Sequence, residues 1–151
     1  MNLRQIELVG ESFDKLLPSA DAAEMFYTRL FETAPQLRSL FKGDMQRQGA
    51  RLVSMIGLAV GNLDDLAGLA PALRDLGRSH VRYGVKAEHY PVVGAALLWT
   101  LEHRLGAAYT DEVKQAWTTV YGLIAAEMML GAADSARPAA MRAPDPATTS
   151  A

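Results

Sequence analysis

Between Ile6 and Met128 apolar residues recur every three or four positions and nowhere in sustained alternation, which fits helices packed on one another and argues against a sheet. Ile6, Val9, Phe13 and Leu16 or Leu17 make a first stripe; Ala23, Phe26 or Tyr27, and Leu30 make a second after Pro18-Ser19. Pro35 opens a short third segment, where its missing N–H is harmless, and Thr33 with Gln36 has the spacing of a capping box. That segment ends near Phe41, with Lys42-Gly43-Asp44 as a corner. Leu52, Met55 or Ile56, Ala59 and Leu63 continue the pattern up to a break at Gly61 to Asp65, and Leu69, Leu73, Leu76 and His80 carry it to Gly84. A long helix is expected after Pro91, stopping at Gly106. The last begins at Thr110, with Asp111 and Glu112 where the helix dipole favours acids, and shows Val113, Trp117, Tyr121, Ile124 and Met128 on one face. The expected fold class is all-α, with six to eight helices.

A chain of 151 residues has room for one domain. Composition shifts near residue 131: residues 132–151 hold three of the seven prolines and no aromatic residue, too little apolar surface to offset the cost of ordering. The expected organisation is a domain over 1–131 and a flexible Ala/Pro-rich tail over 132–151. A net charge of -2 leaves no cationic excess for phosphates, so neither nucleic acid nor a membrane surface is an expected partner. Glu7, Glu11 and Asp14 interrupt the run that a secretory leader would need, and no stretch of about 18 uncharged apolar residues exists. A soluble, cytoplasmic protein is expected. Cysteine is absent altogether, which excludes disulfides, thiolate nucleophiles, iron–sulfur clusters and cysteine-attached or cysteine-ligated haem.

Any metal must then be held by imidazole or oxygen, and the three histidines, His80, His89 and His103, show no recognised zinc spacing. His103, between Glu102 and Arg104, and His89, in Lys86-Ala87-Glu88-His89, read as surface residues. His80 lies on the apolar stripe. It is either a boundary histidine whose nitrogens find backbone partners, or a single ligand whose other nitrogen donates to a carbonyl one turn back, near Leu76. The second arrangement suits haem iron, because the macrocycle supplies four nitrogens and one protein ligand completes the set.

At this point the chain resembles the globin family, and within it the single-domain bacterial globins similar to flavohaemoglobin and Vitreoscilla-type haemoglobin. The likeness runs from about Leu8 to Met129 and is carried by MFYTRLFETAPQLRSLF (25–41), SHVRYGVKAEHYPVVGAALLWTL (79–101) and AWTTVYGLIAAEM (116–128). The resemblance implies a three-over-three helical sandwich around one non-covalent haem b. It implies His80 as the axial iron ligand, Phe41 packed on the porphyrin face, and Tyr27 as a distal hydroxyl donor to bound gas; a core aromatic with a bonded hydroxyl is the other reading of Tyr27. Ten residues beyond Phe41 stands Arg51, where flavohaemoglobins carry glutamine. Its roles are a haem propionate, the ligand, or water, and a one-residue slip would put Ala50 or Leu52 there instead. Met55, one turn on, forms an apolar wall or a sixth ligand. Val85 joins the cofactor-binding set, and Tyr90 resembles the tyrosine that contacts the proximal imidazole. The glutamate of that network falls near Ala132 here and so is missing; Glu127 does not replace it.

What the resemblance implies for function is reversible binding of O2, CO and NO, for oxygen transport or storage, by a monomer or homodimer. The alternative is nitric-oxide dioxygenation. That chemistry needs an electron each turnover, and no G-x-G-x-x-G cofactor loop is present, so a separate flavin-dependent reductase would serve as partner. A haem-based or haem-free sensor module is the third reading.

Overall fold

The computed structural model describes residues 1–16 and 20–135; Leu17 and the Pro18-Ser19 break lie outside them. Among the described residues the chain forms six α-helices, α1 (Leu3–Leu16), α2 (Ala20–Thr33), α3 (Met45–Gly61), α4 (Leu66–Arg82), α5 (His89–Leu105) and α6 (Asp111–Ser135), with 3-10 turns at Pro35–Leu40, Leu63–Asp65 and Gly106–Ala108 and no strand. This is the expected all-α architecture. α1, α3 and α4 pack over α2, α5 and α6, through α1 and α4 on α6, α1 on α5, and α2 on α3.

Local chemistry sets most boundaries. Asp44 accepts from the Gln46 N–H at 2.9 Å to start α3, and Thr110 accepts from the Val113 N–H at 3.2 Å to start α6. Gly106 ends α5 at φ 54°, and Gly43 and Gly84 turn the two corners that flank the site at φ 97° and 91°. The capping box expected from Thr33 and Gln36 is not formed. Ala34 sits at the N-cap without a side-chain bond, and the Thr33 hydroxyl donates back to the Arg29 and Leu30 carbonyls of α2. A local hydroxyl-to-carbonyl bond has outcompeted the cap.

At the other end, α6 carries residues 132–135 in helix, past the domain boundary expected at residue 131; Gly131 is buried and Asp134 is bonded to Arg78. The rest of the expected tail, residues 136–151, lies outside the described residues.

The core has three parts. Val9, Leu101, Trp117 and Val120 join α1, α5 and α6; Phe26, Tyr27, Leu30, Leu37 and Ala96 join α2, the following 3-10 turn and α5; Leu69, Leu73, Tyr90, Ala125 and Met128 join α4, α5 and α6. The indole N–H of Trp117 donates to Ser12 Oγ at 2.7 Å, and Ser12 passes its own proton to the Leu8 carbonyl at 2.6 Å, so this buried polar pair is fully bonded. Among the described residues no single helix is long and apolar enough to cross a membrane.

Candidate functional site

α3 and α4 are consecutive, and the chain bends by 61° between α3 and the Leu63–Arg82 segment. They are held from opposite sides, α3 by α2 and α1, α4 by α6. The residues singled out in the sequence lie on α2, α3, α4, the start of α5 and the corners after the first 3-10 turn and after α4.

His80 occupies the last turn of α4, half-buried at the end of the Leu69, Leu73 and Leu76 face. Its Nδ1 lies 2.8 Å from the Leu76 carbonyl oxygen. A carbonyl only accepts, so Nδ1 carries a proton, and in the neutral ring the lone pair is on Nε2. The expected tether one turn back is therefore present. His103 is exposed, stacked on Trp99 at 4.0 Å, and His89 is half-buried with Nδ1 accepting from the Lys86 N–H at 3.0 Å; both are engaged locally.

α4 is fixed on α6 by an unusually close approach. A Cβ on Gly77 would run into the Met128 carbonyl, and one on Gly131 would run into the Arg74 carbonyl. Backbone therefore meets backbone at two points within two turns of His80. Two ion pairs border the crossing, Arg74 with Glu127 at 2.8 Å and Arg78 with Asp134 at 3.3 Å. Glu127 is thus committed to Arg74.

Tyr90 is buried at the start of α5, and burial pushes its hydroxyl pKa up. The Tyr121 hydroxyl of α6 donates to the Tyr90 main-chain carbonyl and meets the Gly94 N–H. Its pKa is raised by burial and, secondarily, by Tyr90. Gly94 leaves no room for a side chain against the Tyr121 ring. Val85, half-buried, packs against the cluster that holds Leu69, Leu73 and Tyr90, as Leu76 and Tyr121 do, and its N–H donates to the His80 carbonyl at 2.9 Å.

On the opposite flank four rings assemble. Tyr27 lies 5.1 Å from Phe26, 6.0 Å from Phe31 and 5.3 Å from Phe41, centroid to centroid, mostly edge to face. The Tyr27 hydroxyl donates to the Gln48 carbonyl at 3.3 Å, and burial raises its pKa to about 12. Phe41 follows the 3-10 turn directly and is half-buried.

Arg51 is exposed, while its neighbour Leu52 packs, as Phe41 does, against the buried cluster that holds Phe26, Tyr27 and Leu30. Of the positions open at this point of α3, Leu52 faces the ring cluster and Arg51 faces water. Met55 is half-buried one turn beyond Arg51, and Ala50 is exposed. The pattern missed Tyr121 as a site residue, although its place on the apolar face of α6 marked it as inward; the Gln48 carbonyl, a main-chain atom, had no signal at all.

The donor set fits haem. Among the described residues no three His, Asp or Glu side chains come together to hold a bare metal ion. One imidazole with Nε2 free and Nδ1 tethered suits iron that arrives with four nitrogens of its own.

Comparison with known proteins agrees. The Globin family model matches residues 24–128. The Bacillus subtilis flavohemoprotein is 37% identical over 103 residues, 66% of this chain, and the chain spans about a quarter (26%) of that relative's length. A neuroglobin from Tetraodon nigroviridis is 34% identical over 83% of this chain and 88% of its own. In structure, an engineered carbene transferase based on a candidate nitric oxide dioxygenase from Rhodothermus marinus superposes with TM-score 0.79 and 30% identity over 88% of this chain and 94% of that one. A bacterial globin from Campylobacter jejuni gives 0.75 and 26% over 87% and 96%. Fold, tethered histidine and sequence all lead to one assignment: the chain belongs to the globin family.

Proposed function

We propose that the chain binds haem b non-covalently through His80 Nε2 and uses it to bind dioxygen, CO and NO reversibly. The observation that carries this reading is the 2.8 Å contact of Nδ1 with the Leu76 carbonyl, which fixes both tautomer and ring direction. When bound, haem supplies the iron that takes the gas. The protein orients the imidazole, excludes water with Phe41, Leu52, Met55 and Val85, and offers the Tyr27 hydroxyl. At 3.3 Å from Gln48 that hydroxyl is weakly engaged and free to turn toward a ligand with partial negative charge. Arg51, exposed, is assigned to a propionate or to solvent.

Titrating the purified protein with hemin tests this. A Soret band saturating at one equivalent, with a ferrous-CO spectrum that His80→Ala abolishes, is the expected result. A colourless protein that gains no Soret band points to a haem-free module instead.

A second reading is nitric-oxide dioxygenation with electrons from a separate reductase, favoured by the likeness to flavohemoproteins and to the Rhodothermus structure. Stopped-flow mixing of the oxygenated protein with NO, followed by NADH and a flavin reductase, distinguishes the two. Stoichiometric nitrate with repeated recycling supports dioxygenation; an oxygenated form that never recycles leaves gas binding alone.

A further inference from the structure

The charge of this chain is unevenly placed. Residues 38–55 and 78–86 hold seven cations, Arg38, Lys42, Arg47, Arg51, Arg78, Arg82 and Lys86, against the single carboxylate of Asp44, a net of +6 that leaves -8 on the remainder of a chain whose total is -2. Arg78 is paired with Asp134, and Asp44 caps α3. Lys42, Arg47, Arg51, Arg82 and Lys86 are exposed, and among the described residues none of them lies within ion-pair distance of a carboxylate.

These two stretches adjoin. A Cβ on Gly84 would stand 3.1 Å from Leu40 Cδ2, so the corner after α4 touches the end of the 3-10 turn that leads to Lys42. Arg47 and Arg51 are one helical turn apart and share a face. Next to Arg82 in the chain stand two exposed apolar side chains, Val81 at 39% and Tyr83 at 66% of full exposure. The Tyr83 ring meets the His80 imidazole edge-on at 6.5 Å, so this surface reaches the axial histidine in one step. An exposed aromatic and an exposed aliphatic residue on a strongly cationic stretch have the composition of a recognition surface.

We propose that this face is the docking surface for an acidic electron-donor protein carrying flavin or an iron–sulfur cluster, which gives one electron to ferric iron and is itself oxidised by one. This rests on the haem reading above. Haem propionates bring two negative charges, fewer than the cations present, so the patch exceeds what the cofactor needs. A compact acidic patch matches it, whereas a nucleic-acid duplex or an anionic membrane extends beyond it and meets the -8 remainder.

The probe is a bacterial flavodoxin, an acidic FMN protein, titrated at low and at 0.5 M salt into the isotopically labelled full chain, apo and haem-loaded. Amide shifts confined to residues 38–51 and 81–86 and lost at high salt are expected. The double charge reversals R47E with R82E and R82E with K86E should each weaken binding about tenfold, R82K should restore it, and K114E on the far part of α6 should change nothing. Circular dichroism checks that each variant is folded. Shifts elsewhere, binding insensitive to salt or to these reversals, or tighter binding of a short duplex or of anionic vesicles would overturn the proposal. The hemin titration is independent: its failure removes the haem reading, while the flavodoxin shifts on the apo chain still report on the surface.

Discussion

On the α4 side of the site, two glycines let main chain touch main chain where His80's helix crosses α6, with the Arg74–Glu127 and Arg78–Asp134 ion pairs beside the crossing. On the α2 side, the equivalent support is a cluster of rings, Phe26, Tyr27, Phe31 and Phe41, joined by Leu30 and Leu52. The difference is one of adjustability. Rings and leucines move among rotamers and absorb a lost methylene as a cavity, but a peptide carbonyl in contact with a glycine Cα has nothing to yield. The flank that carries the expected iron ligand is rigid in position, and the flank that carries the hydroxyl donor is built of replaceable parts.

The largest expected effect tests the rigid side. Gly77→Val and Gly131→Val should each cost more than about 4 kcal/mol in urea unfolding, or leave no folded protein, because the Met128 and Arg74 carbonyls occupy the added volume. A loss below about 1 kcal/mol in either would mean that the crossing can slide, and the contrast would fail. Leu30→Ala, in the fully buried centre of the ring cluster, should cost about 3 kcal/mol and still fold.

Alkali sharpens the comparison next. Tyr27 in the folded protein titrates at about 12, against about 10 when unfolded, so the unfolded chain loses its proton first. Stability is therefore intact below pH 10 and falls as pH rises from 10 toward 12, by up to about 2–3 kcal/mol from this residue. Tyr90 and Tyr121, also raised by burial, act in the same direction on the other flank. Comparing urea midpoints at pH 9 and 11 for wild type and Tyr27→Phe isolates the ring-cluster share; an equal drop in both would assign the loss elsewhere. The smallest effect belongs to Arg74→Ala: its ion pair with Glu127 is partly solvated, so under about 1 kcal/mol should be lost at low salt and less at 0.5 M.

How much of this was legible in the amino-acid order follows from what each feature depends on. Helices and their stops were readable because spacing, Asp44, Thr110, Gly84 and Gly106 act within one turn of chain. The His80 tether was readable for the same reason, since i to i–4 geometry is local. Gly77 and Gly131 gave no warning, because a glycine inside a helix looks like a weak helix former until a second helix is laid across it. Arg51 against Leu52 shows another limit: one residue turns a helix by about 100°, so an offset counted through a corner selects the neighbour easily. The cation patch was hidden in a net charge of -2, because a sum over the chain discards position.

The backbone crossing has a consequence on the timescale of proton exchange. The amides of Gly77, Met128 and Gly131 are buried where the two helix backbones touch, so they should exchange with deuterium only when the whole molecule opens. The stretch through Gly43 and Asp44 to Gln48 has exposed backbone around a glycine corner and should exchange through small local openings. The clock for losing the His80 helix would then be the clock of global unfolding, while the corner before α3 opens and closes many times within it.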